Sequence, residues 1–214
     1  MSPDGSTKPS AVVHVIENDE SSRTASVNLL TSVGHTVRAY GSAVEFLAQL
    51  PNEPGCIVLD LRLPGASGFD VQERIVMSEN PLAIVFLTAH GDVPKTVRAM
   101  KAGAVDFLTK PVEAQALLDA VTGAIARDAD NRRVRARRQD ARARFDRLTP
   151  REREVFSHLI SGQLNKQIGF DLGITERTIK IHRHQVLTKM QADSIADLVR
   201  LASDLGVTPV SKAR

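Results

Sequence analysis

At 214 residues the chain is long for one ordinary domain and accommodates two of roughly 60 to 130 residues, each able to bury a core. Its apolar fraction of 42% fits a soluble globular protein, and no stretch approaches the roughly 18 uncharged apolar residues that a membrane span needs, which excludes a membrane protein. The net charge of +3 conceals an asymmetry: residues 11 to 126 hold 8 basic and 13 acidic side chains, a net of −5, whereas residues 127 to 214 hold 19 and 11, a net of +8. A basic half points to a polyanionic partner, because Lys and Arg that neutralise phosphates release condensed counterions.

The opening MSPDGSTKPS is polar and lacks both the basic start and the apolar core of a secretory signal, so residues 1 to 10 are expected to form a disordered lead-in. From there the chain alternates two kinds of segment. The apolar runs VVHVI (12 to 16), TVRAY (36 to 40), CIVLD (56 to 60), LAIVFL (82 to 87) and VDFL (105 to 108) predict strands. Helical periodicity lies between them, near 21 to 33, 42 to 50, 67 to 78, 94 to 101 and 113 to 126. Strands alternating with helices imply right-handed crossovers and a five-stranded parallel sheet covered on both faces, an α/β unit over residues 11 to 126. The single cysteine, Cys56, has no partner in the chain to oxidise with, which suits a buried free thiol in a reducing cytoplasm.

Residues 127 to 147 hold nine Arg and four acids with almost nothing apolar to bury. They predict a solvated helical linker that continues the preceding helix, with a nucleic-acid-binding arm as the alternative; no sustained heptad supports a coiled coil. Thr149-Pro150-Arg151-Glu152 writes a helix start, with Thr as cap, Pro in the first turn and Glu as the return partner of a capping box. Short helices follow near 165 to 172, 176 to 189 and 194 to 203. Leu172-Gly173-Ile174 forms the tight turn and Thr175 caps the next helix, which makes residues 148 to 204 an all-α, four-helix helix-turn-helix domain with a tail over 205 to 214.

In a parallel sheet, ligands bind beyond the C-terminal strand ends. There the predicted topology gathers Glu17, Asn18 and Asp19 after the first strand, Asp60 at the end of the third, Thr88 at the end of the fourth, and Lys110-Pro111 after the fifth. Clustered carboxylates suit a hard cation such as Mg²⁺, and an adjacent lysine and hydroxyl suit a phosphoryl group.

The acidic pair after VVHVI, then IVLDLRLPGASG, FLTAHGD and KAGAVDFLTKP, in that order and spacing, resemble the receiver domain of two-component systems over nearly all of residues 11 to 126. The resemblance implies a flavodoxin-like fold and a phospho-acceptor at Asp60, charged by a sensor histidine kinase. It further implies phosphoryl contacts from Thr88 and Lys110, Mg²⁺ held by Glu17, Asn18, Asp60 and the backbone carbonyl of Arg62, and a cis Lys110-Pro111 bond. Phe107 falls at the family's switch-aromatic position, and an ordinary core Phe is the alternative. The chain departs from the family at Glu17-Asn18, where two acids are usual: Asn18 brings an oxygen without charge, unless Asp19 or the longer Glu17 compensates.

LTPREREVFSHLISGQLNKQI, LGITERTIKIHRHQVLTKM and SIADLVRLA resemble the LuxR-type helix-turn-helix of FixJ-like and NarL-like response regulators. On the 176 to 189 helix, Ile179, His182, Val186 and Met190 share one face and are expected inside, leaving Arg177, Lys180, Ile181, Arg183, His184 and Thr188 outside. By family position Lys180, Ile181 and His184 would face base edges of duplex DNA, and Lys166 with Arg177 or Arg183 would hold phosphates. His182 and His184 point about 200° apart on a helix and cannot share a metal. Together the two resemblances imply a cytoplasmic transcription regulator, not an enzyme, that forms a homodimer on phosphorylation. One alternative is an atypical regulator whose receiver is a constitutive interaction module; another, a phosphatase using the acidic pocket, lacks a second catalytic base.

Overall fold

The computed structural model describes residues 11–89 and 93–210; the lead-in, residues 90–92 of the FLTAHGD motif and the last four residues of the tail lie outside the described residues. The chain divides into two compact units, Met1–Arg132 and Arg133–Arg214.

In the first unit the elements run β1 (Val12–Ile16), α1 (Glu20–Ser32), β2 (Thr36–Tyr40), α2 (Ala43–Leu47), β3 (Gly55–Asp60), β4 (Arg62–Leu63), β5 (Ala66–Ser67), α3 (Gly68–Val76), β6 (Ala83–Thr88), α4 (Val93–Lys101), β7 (Asp106–Thr109) and α5 (Ala114–Asp146). The long strands form one parallel sheet in the order β2-β1-β3-β6-β7, each within one residue of its expected apolar run. Successive side chains point to opposite faces of a strand, and on the central strands β1, β3 and β6 both faces are buried. Val13, Val15, Val58, Val85 and Leu87 pack under α1 and α5 through Leu30, Leu117, Val121 and Ala124. Ile16, Ile57, Leu59, Ile84 and Phe86 pack under α2, α3 and α4 through Phe46, Val71, Ile75 and Ala99. Cys56 is a buried free thiol, and burial pushes it up to about 12.

Two features depart from the expectations. The small antiparallel pair β4–β5 follows Asp60, with strands of two residues each, too short to carry an alternation signal. The solvated linker expected from residue 127 is, at its start, bound to the sheet. Asp128 is 1% exposed; its Oδ2 accepts from the Gly55 amide at 3.1 Å and from Arg132 Nε at 2.7 Å. Arg132 also donates to the carbonyls of Asn52 (2.9 Å) and Glu53 (2.8 Å). These two side chains satisfy backbone groups at the entrance of β3.

In the second unit the end of α5 precedes α6 (Pro150–Ile160), α7 (Asn165–Leu172), α8 (Glu176–Met190) and α9 (Ile195–Leu205). Thr149 and Glu152 form the expected capping box on α6, with Pro150 in the first turn. Gly173 closes α7 at φ +67°, a left-handed conformation that favours glycine, and Thr175 accepts the Thr178 amide to start α8. Leu148, Val155, Phe156, Leu159, Ile168, Ile179, Val186, Met190 and Leu198 make the core.

Candidate functional site

At the C-terminal strand ends of the first unit, Asp60 is 7% exposed and Glu17 is 2% exposed. Lys110 Nζ donates to Asp60 Oδ2 at 2.6 Å and to Glu17 Oε2, so one ammonium joins the two carboxylates. The other oxygen of Asp60 accepts from the Arg62 amide at 2.9 Å, while that of Glu17 accepts from the Asp19 amide at 3.1 Å. The Lys110 amide donates to the Thr88 carbonyl at 2.7 Å, which places Lys110 directly beyond Thr88, itself buried at the end of β6. Lys110-Pro111 is cis. Gly68 lets α3 begin hard against this loop: a Cβ there would lie 2.8 Å from the Asp60 carbonyl oxygen. Phe107 lies on β7, partly buried, with its ring 6.1 Å from that of Phe86.

Burial is the largest influence on both charged partners of the bridge. It pushes the Glu17 carboxyl above its ordinary range, against the Lys110 bond. For Lys110 burial pulls down, but the hydrogen bonds and charges of Asp60 and Glu17 outweigh it and hold the amine above its ordinary value. Two acidic partners outweigh burial at Lys110, whereas the single cation beside Glu17 does not outweigh burial there, so both shifts point upward.

The donor set fits a small hard cation. Glu17 and Asp60 supply carboxylates, and Arg62 follows two residues after Asp60 with its backbone carbonyl. Asn18 is exposed at the edge, where its amide oxygen is a neutral donor. Asp19 is engaged at the start of α1, where its Oδ1 caps the helix by accepting the Ser22 amide at 2.8 Å. Asp is a strong N-cap immediately before a helix, so this role was readable from sequence. Among the described residues no three His, Cys, Asp or Glu side chains group to hold a metal.

In the second unit, α8 buries Ile179, Val186 and Met190 as expected, whereas His182 is only half-buried. Arg177, Lys180, His184 and Thr188 are exposed, Ile181 is 53% exposed, and Lys166 is exposed on α7. Lys180 pairs with Glu176 at 3.3 Å on the same surface. Arg183 departs from the outer stripe: it is half-buried and donates to Asn165 Oδ1 at 3.4 Å, because it lies on the side of α8 turned toward α7. Phe170, which sequence reasoning passed over, is 88% exposed on α7.

Residues 13–122 match the response regulator receiver domain, and residues 146–202 match the bacterial regulatory proteins of the luxR family. The chain is 46% identical over 206 residues to Nodulation protein W of Bradyrhizobium diazoefficiens, covering 96% of this chain and 90% of that one. It is 42% identical to the transcriptional regulatory protein FixJ of Azorhizobium caulinodans, covering 94% and 96%. Among solved structures it is similar to the response regulator StyR (TM-score 0.77, 44% identity, 91% and 98% covered) and to full-length FixJ from B. japonicum (TM-score 0.56, 42% identity, 92% and 97% covered).

Proposed function

The chain belongs to the response regulators that join a receiver domain to a LuxR-type DNA-binding domain, and from that membership we propose that Asp60 is the phospho-acceptor through which a sensor histidine kinase controls it. It is a DNA-binding transcription regulator. The observation that carries the phosphorylation reading is the bridge from Lys110 to Asp60 beside Thr88. An Asp60 carboxylate oxygen attacks phosphorus, the bond to the donor's histidine breaks, and an acyl phosphate forms on Asp60. The Lys110 ammonium and the Thr88 hydroxyl supply positive charge and a donor where negative charge gathers. Mg²⁺ would be held by Glu17, Asp60, the Arg62 carbonyl and the amide oxygen of Asn18, and when bound it supplies charge neutralisation for the incoming phosphoryl group.

On this reading residues 11 to 126 act as the receiver, 127 to 147 as the connector, its first turns fixed to the receiver by Asp128 and Arg132, and 148 to 204 as the DNA reader. Phosphorylation favours a second receiver conformation, with Phe107 as switch aromatic, and that conformation dimerises. In the dimer, Lys180, Ile181 and His184 face base edges while Lys166 with Arg177 or Arg183 holds phosphates. No described helix is long and apolar enough to cross a membrane, and a cytoplasmic site of action suits a regulator that must reach DNA.

Incubating purified protein with acetyl phosphate and Mg²⁺, then measuring intact mass and oligomeric state, tests this. One added phosphoryl group and a shift to dimer are expected. A protein that never accepts the group from any donor is instead a constitutive interaction module.

A further inference from the structure

The loop between β1 and α1 is fastened at both ends by its own backbone and caps. At its start the Glu17 amide donates to the Tyr40 carbonyl at 3.1 Å, and at its finish Asp19 caps α1 through Ser22. Its middle is held by one side chain. Arg23, in the first turns of α1 and half-buried, donates from Nη1 to the Glu17 carbonyl at 2.7 Å and to the Asn18 carbonyl at 3.3 Å. In a trans peptide plane the C=O and the following N–H point in opposite directions. Drawing both carbonyls toward Arg23 therefore turns the Asn18 and Asp19 amides the other way, and the Asp19 N–H is found on Glu17 Oε1 at 3.1 Å.

We propose that Arg23 is a positioning residue for cation binding at this site: by setting two peptide planes it fixes the Asp19 amide that aims the Glu17 carboxylate. The inference rests on the reading of Asp60 and its neighbours as a Mg²⁺-dependent phosphorylation site. The need for such a device follows from this chain's own departures. Asn18 brings no charge, and the Asp19 carboxylate is occupied in capping α1. Glu17 is thus the one carboxylate of the loop bonded into the site, and its side chain has one more rotatable bond than an aspartate. A hard cation's affinity depends on ligand charge and site rigidity. Loss of aim at Glu17 removes the loop's whole anionic contribution.

The test is a Mg²⁺ titration of the full chain followed by amide chemical shifts, without any phosphoryl donor, alongside thermal melts. Arg23→Gln should raise the Mg²⁺ concentration for half-saturation about tenfold, as outer-shell partners of metal ligands typically do, while leaving Tm nearly unchanged. Arg23→Lys, which retains one donor for the carbonyls, should fall between Gln and wild type. An intact Arg23→Gln protein with wild-type half-saturation overturns the proposal. So does a misfolded Arg23→Gln accompanied by an Arg23→Lys that titrates as wild type, which would make the role structural. A wild type that binds Mg²⁺ but accepts no phosphoryl group removes the phosphorylation reading and leaves this one standing. A wild type that shows no saturable Mg²⁺ binding overturns the Arg23 assignment whatever the labelling result.

Discussion

Lys110 Nζ lies 2.6 Å from Asp60 Oδ2 and bonds Glu17 as well, so one ammonium offsets the repulsion of two buried carboxylates brought from different strand ends. Removing one partner of a buried charge group leaves the others uncompensated, a loss on the order of 3 kcal/mol. Lys110→Met should lose about that much in urea unfolding at pH 7.5. Without the cation, burial and the charge of Asp60 act unopposed on the Glu17 carboxyl and push it further above its ordinary range. The folded state then binds more protons, and stability is regained as pH falls toward 5. A variant as stable as wild type at both pH values would show that the bridge is without energetic consequence.

His14 is fully buried in β1, its Nδ1 3.2 Å from the Tyr40 hydroxyl, and burial, against the pull of Glu53, lowers its pKa from 6.5 to about 4. Below pH 6.5 the unfolded chain takes up a proton that the folded chain refuses. Stability therefore declines as pH falls from about 6.5 to 4, by at most about 3 kcal/mol. Melting curves at pH 7.5 and 4.5 should show wild type losing more than His14→Gln, which carries no titrating ring. Parallel losses in the two proteins would assign the acid sensitivity elsewhere.

Asp128 binds the Gly55 amide across 73 residues of sequence and holds Arg132 on the carbonyls of Asn52 and Glu53. Asp128→Ala strands a buried N–H and a partly buried guanidinium, at a cost on the order of 3 kcal/mol. Hydrogen exchange at the Gly55 amide should accelerate, with less effect in Asp128→Asn, which keeps an acceptor. Equal protection of Gly55 in wild type and Asp128→Ala would mean that the bond does not hold in solution.

On the DNA-reading unit the exposed polar side chains should separate into two kinds. Lys166→Ala should weaken binding to all duplexes alike and flatten the salt dependence. Lys180→Ala and His184→Ala should relax preference at particular base pairs, each by about 1 to 3 kcal/mol. The Lys180–Glu176 pair does not prevent this, because an exposed ion pair is weak. A uniform loss from all three substitutions would contradict the placement of α8 in a major groove.

VVHVI and CIVLD were legible as strands because both faces of a parallel sheet are buried, which leaves an unbroken apolar run in the sequence. Thr149, Gly173 and Thr175 announced the second unit because capping and left-handed turns act on adjacent residues. What escaped is non-local. Nothing near Asp128 in an Arg-rich stretch signals a partner 73 residues earlier, and the half-burial of Arg183 depends on how α7 crosses α8. The gathering of Asp60 and Lys110 was anticipated from topology and family resemblance; their bridge to Glu17 emerged only from the fold. Arg23 offered no signal, because its partners are backbone carbonyls, which every residue has.

If a phosphoryl group on Asp60 changes DNA binding, a comparison of wild type with a variant that cannot be labelled shows it most directly. Duplexes enriched from a random pool by acetyl-phosphate-treated protein should be titrated with wild type and Asp60→Asn, each before and after treatment, at one fixed salt and Mg²⁺ concentration. Treated wild type should bind at least about tenfold more tightly than untreated, a gain of about 1.4 kcal/mol, while Asp60→Asn shows one affinity throughout. An equal gain in Asp60→Asn, or a wild type that is fully labelled yet binds no differently, would contradict it.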